Sequence, residues 1–462
     1  MTLYTIIYFH VLTTRIPLFL SFYSNFASKQ TETYNMEPKQ SIGTICVQGG
    51  WQPENGGPRQ IPIIQSTTFK YENTDEMAAL FDLEKEGYFY TRLQNPTSDA
   101  VARKIAALEG GVAAVLTSSG QAASFYSIFN ICEAGSHIIA SNDIYGGTFN
   151  LFGVTLPKLG IECTFVSPDA PDEEILAAVR PNTRAFFGET ISNPGCRVFD
   201  IERFARLAHS VGVPLIVDNT FATPVNCRPL EWGADIVTHS TTKYMDGHGT
   251  QVGGVVIDGG KFDWDAHADK FPGLTTPDES YHGLTYTRKF GRAAYAVKLT
   301  AQLMRDLGST PSPQNSFLLN LGLETLHLRM PRHCSNALAV ARFLSEDPRV
   351  AWVNYPELPG SPSFELAAKY LPNGSCGVLC FGLKGDRQTA VRFMDSLRMI
   401  SIATHVADAR SCVLHPASHT HRQLTEQQLI EAGIAPDLIR LSVGIEDLPD
   451  ILADLSRALD NI

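Results

Sequence analysis

Residues 214–244 read PLIVDNTFATPVNCRPLEWGADIVTHSTTKY. Two short runs in it, PLIV at 214–217 and DIVT at 235–238, have apolar centres and are too short for helices. They read as strands buried on both faces. Each ends abruptly on polar residues: Asp218, Asn219 and Thr220 after the first, His239 through Tyr244 after the second. Working outward, the same alternation repeats. Residues 113–117, 137–140, 163–166, 185–187 and 254–257 predict further strands, and Val101, Ile105 and Leu108 mark an amphipathic helix. Residues 121–132 and 147–159 predict helices. Ile201, Phe204, Leu207, Ala208 and Val211 recur at helical spacing behind Asp200, a fitting N-cap. Buried strands separated by such helices predict an α/β fold with a mostly parallel sheet covered on both faces. Sheets of this kind bind ligands beyond the carboxyl ends of their strands, so the residues just after each strand carry the chemistry.

The rest of the chain differs in texture. Residues 259–313 are mixed. A helical pattern then runs from Phe317 through Leu326 and Leu338 to Phe343, followed by short strands at 377–381 and 438–443. This predicts a smaller α+β C-terminal domain over 313–462, after a large domain over 96–312. Residues 36–95 are polar and rich in Gly and Pro, with one helical patch at 75–84, and read as an arm. Residues 3–26 are apolar, but Arg15 and Pro17 divide them, and neither half reaches the about 18 residues of a membrane span. No basic residue precedes the apolar run, as a signal peptide requires. Residues 1–35 are therefore expected to be a non-native or disordered extension, with translation starting at Met36.

The 462 residues carry 37 Lys and Arg against 48 Asp and Glu, a net charge of −11. That excludes a broad basic footprint for nucleic acid, and no membrane association is expected. Nine cysteines are too sparse for a disulfide scaffold, and Cys376 and Cys380, read as buried thiols, are the one close pair. A reducing cytoplasm is expected. His415, His419 and His421 form an H-x3-H-x-H pattern without a fourth ligand; a structural loop is the reading, and no metal is expected.

Ser118, Ser119, Gly120 and Gln121 follow the strand at 113–117 and open a helix. Its first N–H groups and dipole suit a phosphate, although a purely structural turn looks the same. Asp218 alone is an ordinary N-cap candidate, and Lys243 alone an ordinary surface lysine. Together they fit one chemistry. A lysine amine can hold an aldehyde cofactor covalently. Pyridoxal phosphate needs that lysine, an acidic partner for its ring nitrogen, and a phosphate cradle. Lys243, Asp218 and the turn around Gly120 supply these at three strand ends of one sheet. Ser240 and Thr242 would donate to the phosphate, and Tyr145, after the strand at 137–140, would stack on the ring.

At these residues the chain resembles the pyridoxal-phosphate (PLP) enzymes of cysteine and methionine metabolism, the cystathionine γ-synthase-like group. The matching segments are YTR at 90–92, SSGQ at 118–121, DIYG at 143–146, ETISNP at 189–194, VDNT at 217–220, HSTTK at 239–243 and RLSVGIED at 440–447. Within the group it is most similar to the O-acetylhomoserine sulfhydrylases. The long stretch after Lys243, GLETLHLRM at 322–330 and AWVNYP at 351–356 carry that likeness.

The resemblance implies an aspartate-aminotransferase-like (type I) fold and a PLP-dependent transferase. The implied reaction is γ-replacement, turning O-acetyl-L-homoserine and sulfide (or a small thiol) into L-homocysteine and acetate. Lys243 and Tyr145 would be catalytic. Lys243, Asp218, Tyr145, Gly120, Gln121, Ser240, Thr242 and Asn193 would bind the cofactor, joined by Tyr90 and Arg92 reaching in from a neighbouring subunit through the 36–95 arm. That makes the chain a homo-oligomer, a dimer at minimum and a tetramer by family habit. Arg440 would hold the substrate carboxylate through its planar fork. His405 stands where the family has a polar substrate contact. The alternative is a γ-lyase acting on methionine or cystathionine. Gly147 counts against it, since methionine γ-lyases usually carry cysteine two residues after the stacking tyrosine.

Overall fold

A computed structural model describes residues 40–416 and 437–462. The extension expected at 1–35 lies outside the described residues, as do His419 and His421. The described chain forms two units. The smaller comprises residues 40–41 and Phe69–Phe89, and contains the helix Thr74–Phe81, where the Asn73 side chain accepts from the Glu76 amide. The larger spans Ile42–Thr68 and Tyr90–Ile462 and holds both sheets and every candidate site residue.

Seven strands build the first sheet: β1 Ala113–Thr117, β2 His137–Ser141, β3 Glu162–Val166, β4 Thr183–Glu189, β5 Leu215–Asp218, β6 Ile236–His239 and β7 Gly254–Asp258. Their order is β1-β7-β6-β5-β4-β2-β3. The pairings among β2 to β6 are all parallel. β7 runs antiparallel to both its neighbours, β1 and β6. Leu215, Ile216 and Val217 are fully buried, each worth about 1.5–3 kcal/mol of transfer free energy. These are the type I features that the sequence leads one to expect, in a mixed, mostly parallel sheet.

Local chemistry explains where elements begin and where the expected helices differ. Asp200 caps the helix Ile201–Ser210 by accepting from the Arg203 amide, as predicted. The helix expected over 147–159 is broken into Gly146–Asn150, a π-turn at Leu151–Thr155 and a 3-10 turn at Leu156–Leu159. Pro157 lacks the N–H that an α-helix needs there. The long helix expected from Phe317 is two helices, Pro313–Glu324 and Leu326–Glu346. Ser312 caps the first, and Pro313 occupies its first turn, where no N–H bond is lost.

The second sheet has β8 Val350–Asn354, β9 Val378–Leu383, β10 Ser401–Ile402, β11 Cys412–Leu414 and β12 Leu438–Ser442, in the order β10-β11-β12-β9-β8. Side chains alternate along β12. Ile439 and Leu441 enter the apolar core with Leu379, Phe381 and residues of the flanking helices. Arg440 therefore faces the other way, opposite Cys380 in the register. The Gly377 amide donates to the Tyr244 hydroxyl at 2.7 Å, joining the start of β9 to the segment after β6. Eight of the nine cysteines, Cys376 and Cys380 among them, are buried, and only Cys163 is half-buried. Among the described residues no helix is long and apolar enough to cross a membrane.

Candidate active site

A cavity of about 260 Å³ opens at the carboxyl ends of β4, β5 and β6. Ser119, Gly120 and Gln121 reach it after β1, Tyr145 after β2, Glu189 and Asn193 from the end of β4, and Asp218 and Thr220 from the end of β5. Ser240, Thr242 and Lys243 enter after β6, and Arg440 enters from β12. The structure thus brings together the predicted residues Gly120, Gln121, Tyr145, Asn193, Asp218, Ser240, Thr242, Lys243 and Arg440. It does not place Tyr90, Arg92 or His405 in the lining of this cavity. Tyr90 and Arg92 contact each other, the Arg92 guanidinium lying 5.1 Å from the Tyr90 ring centre. His405 lies beside Lys243, its Nδ1 3.5 Å from Nζ.

The helix Gly120–Phe129 begins where Ser119 caps it, its side chain accepting from the Ala122 amide at 3.1 Å and its carbonyl from the Ala123 amide. The Gly120 and Gln121 amides remain for an anion. A Cβ on Gly120 would sit 2.6 Å from Cβ of Ser240 and 2.9 Å from its Cα. Only glycine lets the helix start close against Ser240, which makes the cradle fit a phosphate. Gln121 Nε2 donates to Thr148 Oγ1 at 3.1 Å. The Thr242 hydroxyl donates to the Gly253 carbonyl and accepts from its amide, so it meets a phosphate only by turning away from Gly253.

Asp218 ends β5 with one oxygen accepting from the Thr220 amide at 2.9 Å. Burial raises its pKa, and the Thr220 hydrogen bonds and His239 counter this. Beside it in the β4–β5 register is Glu189, which accepts from the Tyr145 amide at 2.9 Å. Burial and then the charge of Asp218 push Glu189 well above the usual carboxylate range. Both carboxyls are raised, Glu189 the further, so as pH falls Glu189 takes up a proton before Asp218. Behind them His239 Nε2 contacts Glu109 Oε1 at 2.6 Å, both fully buried, and Asn219 donates to the same oxygen.

Burial and the nearby Arg440 charge lower Lys243 to about 8, which leaves a useful fraction of free amine near neutral pH. Arg440 donates through Nη1 to Asn193 Oδ1 at 3.0 Å. Its Nε is buried and meets no partner among the described residues, which suits a fork awaiting a carboxylate. Tyr145 is 45% exposed, and a Cβ on Gly147 would lie 2.5 Å from its ring. Glu189, Thr220 and Thr148 were given no role in the site from sequence. The signal was available for the first two, since both are polar residues at the carboxyl ends of strands.

The family of Cys/Met metabolism PLP-dependent enzymes matches residues 43–460. An O-acetyl-L-homoserine sulfhydrylase of Leptospira meyeri is 46% identical over 429 residues, covering 91% of this chain and 96% of that protein. A homocysteine synthase of Schizosaccharomyces pombe is 45% identical, covering 90% and 97%. Among solved structures, an O-acetylhomoserine (thiol)-lyase of Campylobacter jejuni carrying a pyridoxyl-lysine phosphate superposes with a TM-score of 0.87 at 37% identity, covering 91% of this chain and all of that one. The likeness takes in both sheets and every strand end that faces the cavity: the chain belongs to the family of Cys/Met metabolism PLP-dependent enzymes.

Proposed function

We propose that this enzyme performs γ-replacement, converting O-acetyl-L-homoserine and sulfide to L-homocysteine and acetate in the biosynthesis of methionine. The convergence of Lys243, Asp218 and Arg440, whose buried Nε meets no partner among the described residues, on one cavity carries this reading, and relatives named for the same reaction support it. No observation favours the γ-lyase alternative.

Bound pyridoxal phosphate supplies a sink for the charge released at the substrate Cα. The chain's own residues would do the rest. Gly120, Gln121, Ser240 and Thr242 hold the phosphate, joined by Tyr90 and Arg92 of a neighbouring subunit. Asp218 pairs with the ring nitrogen, Tyr145 stacks, and Asn193 lies by the ring while it orients Arg440. Arg440 fixes the substrate carboxylate. Lys243 Nζ holds the cofactor covalently at rest, then takes the Cα proton and returns it at the end. The arrangement requires at least a dimer, and a tetramer is the proposed state, with 36–95 as the arm between subunits, 96–312 as the cofactor-binding domain and 313–462 as the smaller one. The cytoplasm is the proposed location.

The test is turnover of O-acetyl-L-homoserine with and without sulfide, following homocysteine and 2-oxobutyrate together. Homocysteine that requires sulfide, with little 2-oxobutyrate, is the expected outcome. Release of 2-oxobutyrate from methionine at an equal rate without sulfide would overturn it.

A further inference from the structure

Outside the cavity lining, on the other face of the first sheet, lies a buried charge pair. Asp218 and Thr238 are partners in the β5–β6 register. Side chains alternate along a strand, so the residues that follow them, Asn219 and His239, point to the opposite face. The helix Pro96–Glu109 ends there. His239 Nε2 meets Glu109 Oε1 at 2.6 Å, and neither side chain reaches solvent. Asn219 braces the pair. Its amide donates to the same Glu109 oxygen and to the Cys227 carbonyl, both at 2.9 Å, and accepts from the Thr190 hydroxyl at 2.8 Å. Glu109 Oε2 and His239 Nδ1 are buried and meet no partner among the described residues.

A carboxylate taken wholly out of water is costly unless a cation meets it. Around Glu109 the choice is narrow. Arg228, which donates to the Leu108 carbonyl, is paired with Glu231. Burial and then Glu109 push the Cys227 thiol well above its ordinary value, so it stays neutral. His239 is left as the counter-charge to Glu109. The pair is therefore neutral as a whole, either as acid and imidazole or as carboxylate and imidazolium. Asp218 decides between them. A negative charge one strand away favours the imidazolium, and the imidazolium in turn favours a negative charge on Asp218.

We propose that Glu109 and His239 are positioning residues for the cofactor: as carboxylate and imidazolium they hold Asp218 ionised at neutral pH, so that it can keep the ring nitrogen of pyridoxal phosphate protonated. This rests on the placing of Asp218 at that nitrogen and not on which reaction follows. The neighbouring carboxyls agree with it. Burial raises both Asp218 and Glu189. The Thr220 hydrogen bonds and His239 pull Asp218 back. Glu189 has Asp218 and Asp143 for charged neighbours and rises further.

Two cofactors test this. The full chain freed of cofactor is titrated with pyridoxal phosphate and with the analogue that has C–H in place of the ring nitrogen, and both dissociation constants are read by absorbance. Their ratio isolates the pairing of Asp218 with the nitrogen, since phosphate, ring face and lysine attachment are common to both. Glu109→Gln and His239→Gln keep the contact between the two side chains and remove its charges. In each, the preference for pyridoxal phosphate falls about tenfold at pH 7, while binding of the analogue moves less than about twofold. The pH at which the preference is half lost rises by about one unit. In Asp218→Asn the preference is already absent, and adding His239→Gln takes nothing further. An unchanged ratio, equal losses for both cofactors, or a further loss on top of Asp218→Asn overturns the proposal. A wild-type chain that binds both cofactors equally would instead sink the placing of Asp218 at the ring nitrogen, and the proposal with it.

Discussion

Two carboxyls stand side by side at the ends of β4 and β5, and they should respond oppositely to loss of charge. Burial and the Asp218 charge favour the protonated form of Glu189, and Glu189→Gln is nearly isosteric with that form. It should keep kcat within about threefold, since an uncharged amide oxygen can still accept from Tyr145. Asp218→Asn removes a charge aimed at a ring nitrogen and should lower kcat roughly 10- to 100-fold, the worth of a hydrogen bond to a charged group. Steady-state kinetics on the two variants decide this: a larger loss in Glu189→Gln than in Asp218→Asn would mean that the proton has been assigned to the wrong partner, and equal losses that both carboxyls act as charges. Gly120→Ala is a steric counterpart. Its Cβ would press on the Cβ and Cα of Ser240, so the helix start must back away. Cofactor retained through dialysis should fall sharply, with about 1–3 kcal/mol lost from stability in urea.

At the scale of elements, strand ends carry the titration as well as the chemistry. Asp258 closes β7, and burial raises its pKa to about 7. A carboxyl raised above its unfolded value binds its proton more tightly when folded. Its contribution is therefore full below about pH 4 and is lost as pH rises through about 7. Stability measured against Asp258→Asn should narrow over that window by up to roughly 4 kcal/mol, at 1.36 kcal/mol per unit. A flat difference would show that the side chain is ionised throughout. Tyr244→Phe strips the Gly377 amide of its acceptor in a buried setting, and should cost about 1–3 kcal/mol in urea unfolding. The seven strands of the first sheet were legible because their apolar runs end in abrupt polar residues, and so were β9 and β12, but the short β8, β10 and β11 were not expected as strands. β7's direction was not legible either, since an apolar run of five looks the same whichever way it points. The break at Leu151–Thr155 and the pause at Thr325 escaped for a related reason: helical spacing of apolar residues continues across them.

At the scale of the molecule, sequence placed nine predicted site residues in one cavity because they follow strands of a single sheet or alternate on β12. What it could not reach were contacts set by packing, such as Lys243 with His405 or Glu189 with Asp218, which come from distant or adjacent strands meeting in space. Tyr90 and Arg92 lie outside the cavity lining. If each serves a neighbour, subunits carrying Arg92→Ala and subunits carrying Lys243→Ala, each nearly inactive alone, should regain activity when dissociated and reassembled together. Mixed oligomers as inactive as their parents would place both residues in service of their own subunit.

The burial of eight of nine thiols has a practical reach beyond the site. They are spread from Cys46 to Cys412, across both sheets and the helices around them. A buried thiol meets an alkylating reagent only when its surroundings open. Pulses of reagent followed by peptide mapping would therefore work as a set of built-in clocks. The sequence in which Cys46, Cys227, Cys334 and Cys380 stop would record which parts of the enzyme let go first, without any label being added to the chain.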